Sequence, residues 1–474
     1  MRRAATRVVD EVALQLAKMI DRAIRERLGD TSTFEQRQRL AAALSGDSLW
    51  LREDQDLRDA ITEVDEVEVE GRKYQRLEQP SSATYYGQWG SHEIEEALYR
   101  EVGVHNGPTI KPIELRLGLI EHMTPDMACV VGELIADKSS RGVERTLRVT
   151  GLVPPSRAFL AKHTTEMSIE IADQAESLEQ AARMTEIVPA EVASISTGLD
   201  RMSVRMSELA DPATAPVAPR TAPYERTPPP AKEHHYRKAW VGSTSIYDAQ
   251  GKELHTWRYA AEAEADPAEL ADRVAKDIAW ILSSRPGIPV HCVQDAAPEL
   301  DRLPEALVRS LPANTNLVQL VDFEHLVEYL EDVVDACEPE GDPHDMKGWY
   351  RSELLRADAA IDRIWRNLRS LAKRLPGRGT QARKSVAAAL SYIRFRKAKM
   401  RYATHYAASL PIGSGATEST CWQMQQRVKL PGQSWDVPGL RGILAMRALV
   451  LSDRWSTSWP SYAATHRKEV RATA

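Results

Sequence analysis

The stretch Val290-His291-Cys292-Val293-Gln294-Asp295-Ala296-Ala297 is a short apolar run that ends on an aspartate. Its length predicts a buried strand over Pro289 to Gln294, with Asp295 where the chain leaves the sheet. In open α/β sheets, ligand sites gather outside those strand ends. Before it a helix is predicted over Asp266 to Leu282, and after it come a short helix over Pro304 to Leu311 and a strand over Asn316 to Val321. Further upstream, Lys238 to Tyr247 and Glu253 to Tyr259 alternate about Asp248-Ala249-Gln250-Gly251-Lys252, the pattern of a hairpin with glycine in its loop. The run Val192-Ala193-Ser194-Ile195-Ser196-Thr197-Gly198-Leu199-Asp200 continues as a strand to Val204, with Asp200 and Leu199 on opposite faces. A hairpin followed by alternating strand and helix is an α/β pattern with a mixed sheet edge.

Outward from this core the character changes. Asp211 to Lys232 is rich in proline and reads as an extended loop inserted between strands, set at 208–235. About 326–410 is helical by pattern, broken at Leu375-Pro376-Gly377-Arg378, and it interrupts the α/β domain. The α/β domain therefore spans 189–460, with 461–474 as a tail. At the other end, Arg7 to Leu28 is an amphipathic helix and Thr33 to Leu44 a second one. The rest of 1–90 reads as a connector or small β element with the strand-like Val67-Glu68-Val69. Residues 91–188 are expected to be helical, and three short helices, Pro125 to Ile135, Ser139 to Val149 and Pro154 to about Ile169, have helix-turn-helix spacing. Near the start of the third, Arg157 and Lys162 suit contacts to DNA. An ordinary helical bundle with solvated charges fits the same segment.

A third carboxylate, Glu418, follows Gly413-Ser414-Gly415 where a turn runs into a predicted helix. Carboxylates from neighbouring strands and a helix are hard oxygen donors, suited to Mg²⁺ or Mn²⁺. Two ions about 4 Å apart activate a nucleophile and stabilise a leaving oxygen in phosphoryl chemistry. Each carboxylate alone reads more often as a turn or cap residue than as a metal ligand; the combination points to a site.

The stretch Gly413-Ser414-Gly415-Ala416-Thr417-Glu418-Ser419-Thr420-Cys421, with Gln426-Arg427-Val428-Lys429, Ser434-Trp435, Gly442 to Leu449 and Arg454-Trp455, resembles the C-terminal signature of the Kra group of bacterial insertion-sequence transposases, relatives of the Mutator-like enzymes. Gln294-Asp295-Ala296-Ala297-Pro298-Glu299-Leu300 is similar to that family's second-aspartate motif, and Leu199-Asp200-Arg201-Met202-Ser203-Val204 to its first-aspartate strand. Asp322-Phe323-Glu324-His325-Leu326 resembles its Asp-x-x-His element. The resemblance covers roughly residues 95 to 460. It implies an RNase H-like catalytic domain in a DDE transposase, with Asp200, Asp295 and Glu418 as metal ligands and catalytic residues, two Mg²⁺ or Mn²⁺ ions, and supporting roles for Asp322 and His325. The chain departs from the family at Arg201 and Ala296, where glycine usually follows each aspartate.

The implied partner is double-stranded DNA, both the inverted repeats at the ends of a mobile element and its target. A synaptic complex implies a homodimer or larger. Arg394, Arg396, Lys397, Lys399 and Arg401, with Trp365, Tyr392 and Phe395 nearby, form a basic stripe with aromatic side chains between its cations, suited to phosphates and stacked bases. Arg427 and Lys429, downstream of Glu418, are expected to clamp the DNA end. The whole chain carries a formal net charge of −6, so any DNA surface is local. Its four cysteines, Cys129, Cys292, Cys337 and Cys421, form no CxxC pair, which argues against a zinc ribbon or a disulfide framework and fits a reducing cytosol, and the resemblance implies a bacterial, nucleoid-associated one.

Overall fold

Two five-stranded sheets organise the chain, and each belongs to a different compact unit. The computed structural model describes residues 11–209, 232–262, 265–337, 343–375 and 380–473. Most of the proline-rich stretch and the Pro376-Gly377-Arg378 break lie outside the described residues.

One unit comprises Met1–Met167 with Trp459–Ala474. It opens with α1 (Glu11–Leu28) and α2 (Phe34–Asp59). Thr33 and Gln36 cap α2 reciprocally: the Thr33 hydroxyl accepts from the Gln36 N–H, and Gln36 Oε1 accepts from the Thr33 N–H at 2.9 Å. The helix runs on past Leu44, where the predicted one ended. Its later turns are polar, so apolar periodicity is lost, but pairs such as Arg58–Asp54 and Arg52–Asp56 bridge successive turns.

Strands β1 (Glu66–Val69), β2 (Arg72–Tyr86), β3 (Ser91–Glu101) and β4 (Thr109–Ile110) pair antiparallel in sequence order. Ser91–Glu101 is thus a strand, and the expectation of helix from residue 91 is corrected. Its inward positions include His92 and Glu96, polar groups that hide the alternation. Helices α3 (Pro112–Leu117), α4 (Pro125–Asp137), α5 (Ser140–Val149) and α6 (Arg157–Asp173) follow. The last three match the predicted trio closely. Thr124 and Ser139 cap α4 and α5 through their side chains.

The other unit is Ser168–Ser458. After α7 (Ala175–Thr185), its strands are β5 (Ser194–Leu209), β6 (Lys232–Tyr247) and β7 (Glu253–Ala261), then β8 (Val290–Gln294) beyond α8 (Pro267–Ser284), and β9 (Leu317–Val321) beyond α9 (Arg302–Ser310). The sheet order is β7-β6-β5-β8-β9. The first three run antiparallel; β8 and β9 join β5 in parallel. β8 is buried at every residue, as its apolar run predicted. Helix α8 starts on Asp266, whose carboxylate accepts from the Ala268 N–H at 2.9 Å, and it lays Leu270, Val274, Ile278 and Ile281 on the sheet.

The helical insertion is α10 (Phe323–Cys337), α11 (Pro343–Arg356), α12 (Ala360–Arg374), α13 (Gln381–Arg394) and α14 (Ala403–Ala407), with a core of its own around Leu326, Leu330, Ile361, Ile364, Val386 and Ile393. Next, α15 (Gly415–Val428) and α16 (Val437–Leu451) cover the second face of the sheet, where Met424, Val428 and Leu444 meet Met202, Val204 and Val241. The chain ends with α17 (Trp455–His466) and β10 (Val470–Ala472). β10 adds antiparallel to β1, so residues 461–474 belong to the first sheet's unit instead of forming a free tail. No helix among the described residues is long and apolar enough to cross a membrane.

Candidate functional site

The parallel strands set three aspartates in a row. Thr197 and Cys292 are the last paired positions of β5 and β8, and three residues further along each chain Asp200 and Asp295 follow at the same end of the sheet. Gln294 pairs with Val321, which puts Asp295 beside Asp322; the Asp322 N–H donates to the Gln294 carbonyl at 3.0 Å. Among the described residues only Asp322, with His325 and Glu418, brings ligand atoms within 4.8 Å of one another at this end of the sheet, although neighbouring strands lie about 4.8 Å apart. Gly198 permits this close approach, because a Cβ there would meet the Val293 carbonyl oxygen at 2.4 Å and Thr417 Oγ1 at 2.8 Å.

Helix α15 brings the fourth carboxylate. Its face Thr417, Cys421, Met424 and Val428 is buried on the sheet, and Ser243 Oγ lies 2.7 Å from Thr417 Oγ1. Glu418, next along the helix, remains exposed and accepts from the Ser414 hydroxyl at 2.7 Å. The backbone N–H of Ser414 also donates to Asp322. One residue at the helix start thus fixes two carboxylates.

Each aspartate has its own support. Asp200 Oδ1 accepts from the Arg201 N–H at 2.6 Å and its Oδ2 from the Cys421 thiol at 3.2 Å. Asp295 Oδ1 accepts from the Ala296 N–H at 2.6 Å and from the Tyr392 hydroxyl at 3.0 Å. Among the described residues these donors are all neutral, and neither carboxylate forms an ion pair with a lysine or arginine. A site of that charge and all-oxygen donor set fits a divalent cation.

Asp322 is different. It is buried, accepts the His325 N–H at 2.7 Å, and lies 3.2 Å from His325 Nδ1. Burial pushes its carboxyl up, but the hydrogen bonds from His325 and Ser414 outweigh this and hold it at about 2. The same bond to Asp322, with the charges of Asp322, Asp295 and Glu418, lifts His325 to about 9 against its desolvation. His325 Nδ1 is 3.8 Å from Glu418 Oε1, and ligand atoms of Asp322, His325 and Glu418 all lie within 4.8 Å of one another. His325 therefore bridges the row to the helix.

Arg201 turns to the face opposite Asp200, where its guanidinium pairs with Glu299 and lies 6.0 Å from the Trp240 ring centroid. Its presence after the first aspartate leaves the carboxylate row free.

The basic residues fall into several groups. Arg396 and Lys399 line a small cavity together with Asp295 and Gln294, and Lys399 lies 3.8 Å from Asp301. Lys397 and Arg401 pair with Asp362 at 2.7 and 3.6 Å. Arg394 stacks 5.0 Å from the ring of Phe395, which is 79% exposed. Arg157 and Lys162 are exposed on α6, and Arg157 lies 3.6 Å from Glu144. Lys429 is exposed and donates to Gln425 at 2.9 Å. Arg427 corrects an expectation: it is buried, with its guanidinium 5.0 Å from the Trp435 ring centroid, so it braces the turn after α15 and presents no charge to a DNA end.

Tyr392 was read as a stacking aromatic for bases. It is instead buried against Tyr329, at 4.3 Å between ring centroids, with its hydroxyl on Asp295. Ser414 carried no signal of its own beyond lying in the Gly-rich stretch that leads into Glu418, and Cys421 none beyond following Glu418 by three residues. No protein-family model matches this chain, and neither does any curated protein sequence.

Proposed function

We propose that this chain is a DDE transposase with an RNase H-like catalytic domain, using Asp200, Asp295 and Glu418 to cleave and join DNA strands. The observation that carries the reading is that Asp200 and Asp295 follow the paired segments of adjacent parallel strands, while α15 carries both Glu418 and the Cys421 thiol that reaches Asp200. An antiparallel β7-β6-β5 ribbon extended in parallel by β8 and β9 is the sheet order that an RNase H-like fold requires. Two Mg²⁺ or Mn²⁺ ions held by these carboxylates would activate a water or 3′-hydroxyl and stabilise the departing oxygen.

The chain's own residues prepare that chemistry. Tyr392 and Cys421 orient Asp295 and Asp200 through neutral donors, leaving their charge available. Ser414 sets the rotamer of Glu418 while anchoring Asp322. His325, carrying its proton at neutral pH, offsets part of the negative charge around Glu418 and Asp322. Arg396 and Lys399, beside Asp295, neutralise phosphates next to the cleaved bond. Arg157 and Lys162 at the start of α6 contact the element's end in the manner of a helix-turn-helix, in a homodimer or larger assembly.

The test is incubation of purified protein with labelled duplexes from either flank of its reading frame, with Mg²⁺, beside Asp295→Asn and Glu418→Gln. Strand cleavage by the unaltered protein alone, followed by transfer of the cut end, is the expected result. DNA binding without cleavage in all three would instead identify a DNA-binding descendant that no longer cuts.

A further inference from the structure

A second group of ligand-type side chains lies in the other unit, far in sequence from the carboxylate row. Glu121, His163 and Glu166 bring one ligand atom each to within 4.8 Å of one another. His163 Nδ1 is 2.9 Å from Glu121 Oε2 and 3.2 Å from Glu166 Oε2. One ring nitrogen carries at most one proton, so it donates to one carboxylate and leaves the other facing a like charge. Glu121 feels this: burial first, then its contact with Glu166, push its carboxyl up, against the pull of His163.

The backbone is arranged for that contact. Glu121 and His122 are the two central residues of a tight turn closed by Ile120 and Met123, which exchange N–H···O bonds of 2.9 and 2.8 Å. Both central residues have positive φ, 49° and 61°. Such a turn favours Asn-Gly, and glutamate and histidine have no local advantage there. The second ligand segment is α6, where His163 and Glu166, three residues apart, share a face. Phe159, 4.2 Å from the His163 ring, and His122, edge-on at 5.4 Å, wall the histidine in.

We propose that Glu121, His163 and Glu166 form a binding site for a zinc-class divalent cation that ties the Ile120–Met123 turn to α6. Two ligand atoms each about 2.1 Å from a tetrahedral ion stand about 3.4 Å apart, so separations of 2.9 and 3.2 Å need open by only a few tenths of an ångström. One nitrogen and two carboxylates leave a fourth position for water. The donor set favours Zn²⁺ over Mn²⁺ by the usual affinity order, and the ion removes the repulsion that the shared imidazole proton leaves in place. Lys162 and Arg157 lie on the same helix, so the ion fixes the segment that carries them. The site stands whether or not the other unit cuts DNA.

The experiment uses the full chain carrying Asp295→Asn and Glu418→Gln, so that the carboxylate row cannot account for tight binding. Metal-stripped protein is titrated with Zn²⁺ alone, following bound metal and the rise in Tm. One equivalent bound with a higher Tm is expected, falling at least tenfold in affinity when Glu166→Gln is added. Glu166 is 45% exposed, so that variant retains the fold, as its metal-free Tm will show. Adding Glu121→Gln abolishes the Tm rise. Zinc binding unaltered by Glu166→Gln, or no binding in the parent, overturns the proposal.

Discussion

The hydroxyl of Tyr392, on a helix of the insertion, donates to Asp295 at the end of a central strand, at 3.0 Å. The insertion therefore reaches the candidate site through a part-buried bond, and the phenol's own ionisation is pushed up by burial and by Asp295. Tyr392→Phe keeps the stack on Tyr329 and removes only this bond. We expect a loss of about 1 kcal/mol in urea denaturation and a several-fold slower cleavage rate at unchanged DNA affinity. A rate equal to the parent's would mean Asp295 needs no such support.

At Gly198, β5 lies close against both β8 and α15. Gly198→Ala forces a Cβ against a backbone oxygen and Thr417, so the strand or the helix must move. A destabilisation of about 1–3 kcal/mol is expected, with cleavage lost because Asp200 shifts relative to Asp295 and Glu418. Gly348→Ala, in a helix where nothing lies within 4 Å of the new Cβ, should leave stability equal or raise it by up to about 1 kcal/mol. Parallel melts of both variants distinguish crowding at Gly198 from a general intolerance of alanine.

How much of this was legible varies with the kind of signal. β8 and the Gly-rich turn announced themselves because an apolar run and paired glycines are local features. The alignment of Asp200, Asp295 and Asp322 is set by strand pairing, which periodicity does not encode; only the resemblance joined these positions beforehand. The first sheet was anticipated only as a small β element about Val67 to Val69, for a different reason. β2 is mostly exposed and contains Pro80 with a bulge between Arg76 and Pro80, while β3 turns His92 and Glu96 inward. β10 pairs with a strand some 400 residues earlier, so no window of sequence could mark it. Arg427 looked like any other cation in a basic segment, and its burial is a property of Trp435 packing over it.

Glu96 supplies a pH dependence. Burial drives its carboxyl up to about 7, against the hydrogen bond from Tyr85 at 2.8 Å and the charge of Lys111. The folded value lies above the ordinary glutamate value of 4.5, so the unfolded chain releases this proton first as pH rises. The contribution is present below pH 4.5, declines as pH rises, and is lost above about 7, by up to ~3 kcal/mol. Glu96→Gln keeps an acceptor for Tyr85 and cannot ionise. Its stability advantage over the parent should grow between pH 5 and 7 in urea titrations, and equal pH profiles would refute the assignment.

If the basic residues beside Asp295 hold DNA phosphates, they act through counterion release. Arg396→Ala with Lys399→Ala should lower the slope of log affinity against log salt by about 2 in fluorescence anisotropy on a duplex. Lys397→Ala and Arg401→Ala should change it less, because Asp362 already holds both cations. Equal slopes for the two pairs would place the DNA elsewhere.

Arg454 belongs to the stretch whose likeness to a family signature was noted in the sequence, and its structural role is separate from the site. It is almost wholly buried, donating to Glu186 at 2.8 Å and to Asp277 at 2.7 Å, while Arg183 reaches Asp277 at 2.6 Å. Asp277 is fully buried and also accepts from Tyr259. Such a network is costly to break from one side, since removing one partner leaves the others' charges desolvated. Arg454→Met should cost ~3–5 kcal/mol in unfolding free energy, and Arg454→Lys a large part of that, because an ammonium cannot serve two carboxylates in the guanidinium's plane. Both variants should keep the parent's cleavage rate at temperatures where they stay folded. A rate that falls in step with the rate of the Asp295 variant, in protein still folded by circular dichroism, would show instead that this buried network acts on the site itself.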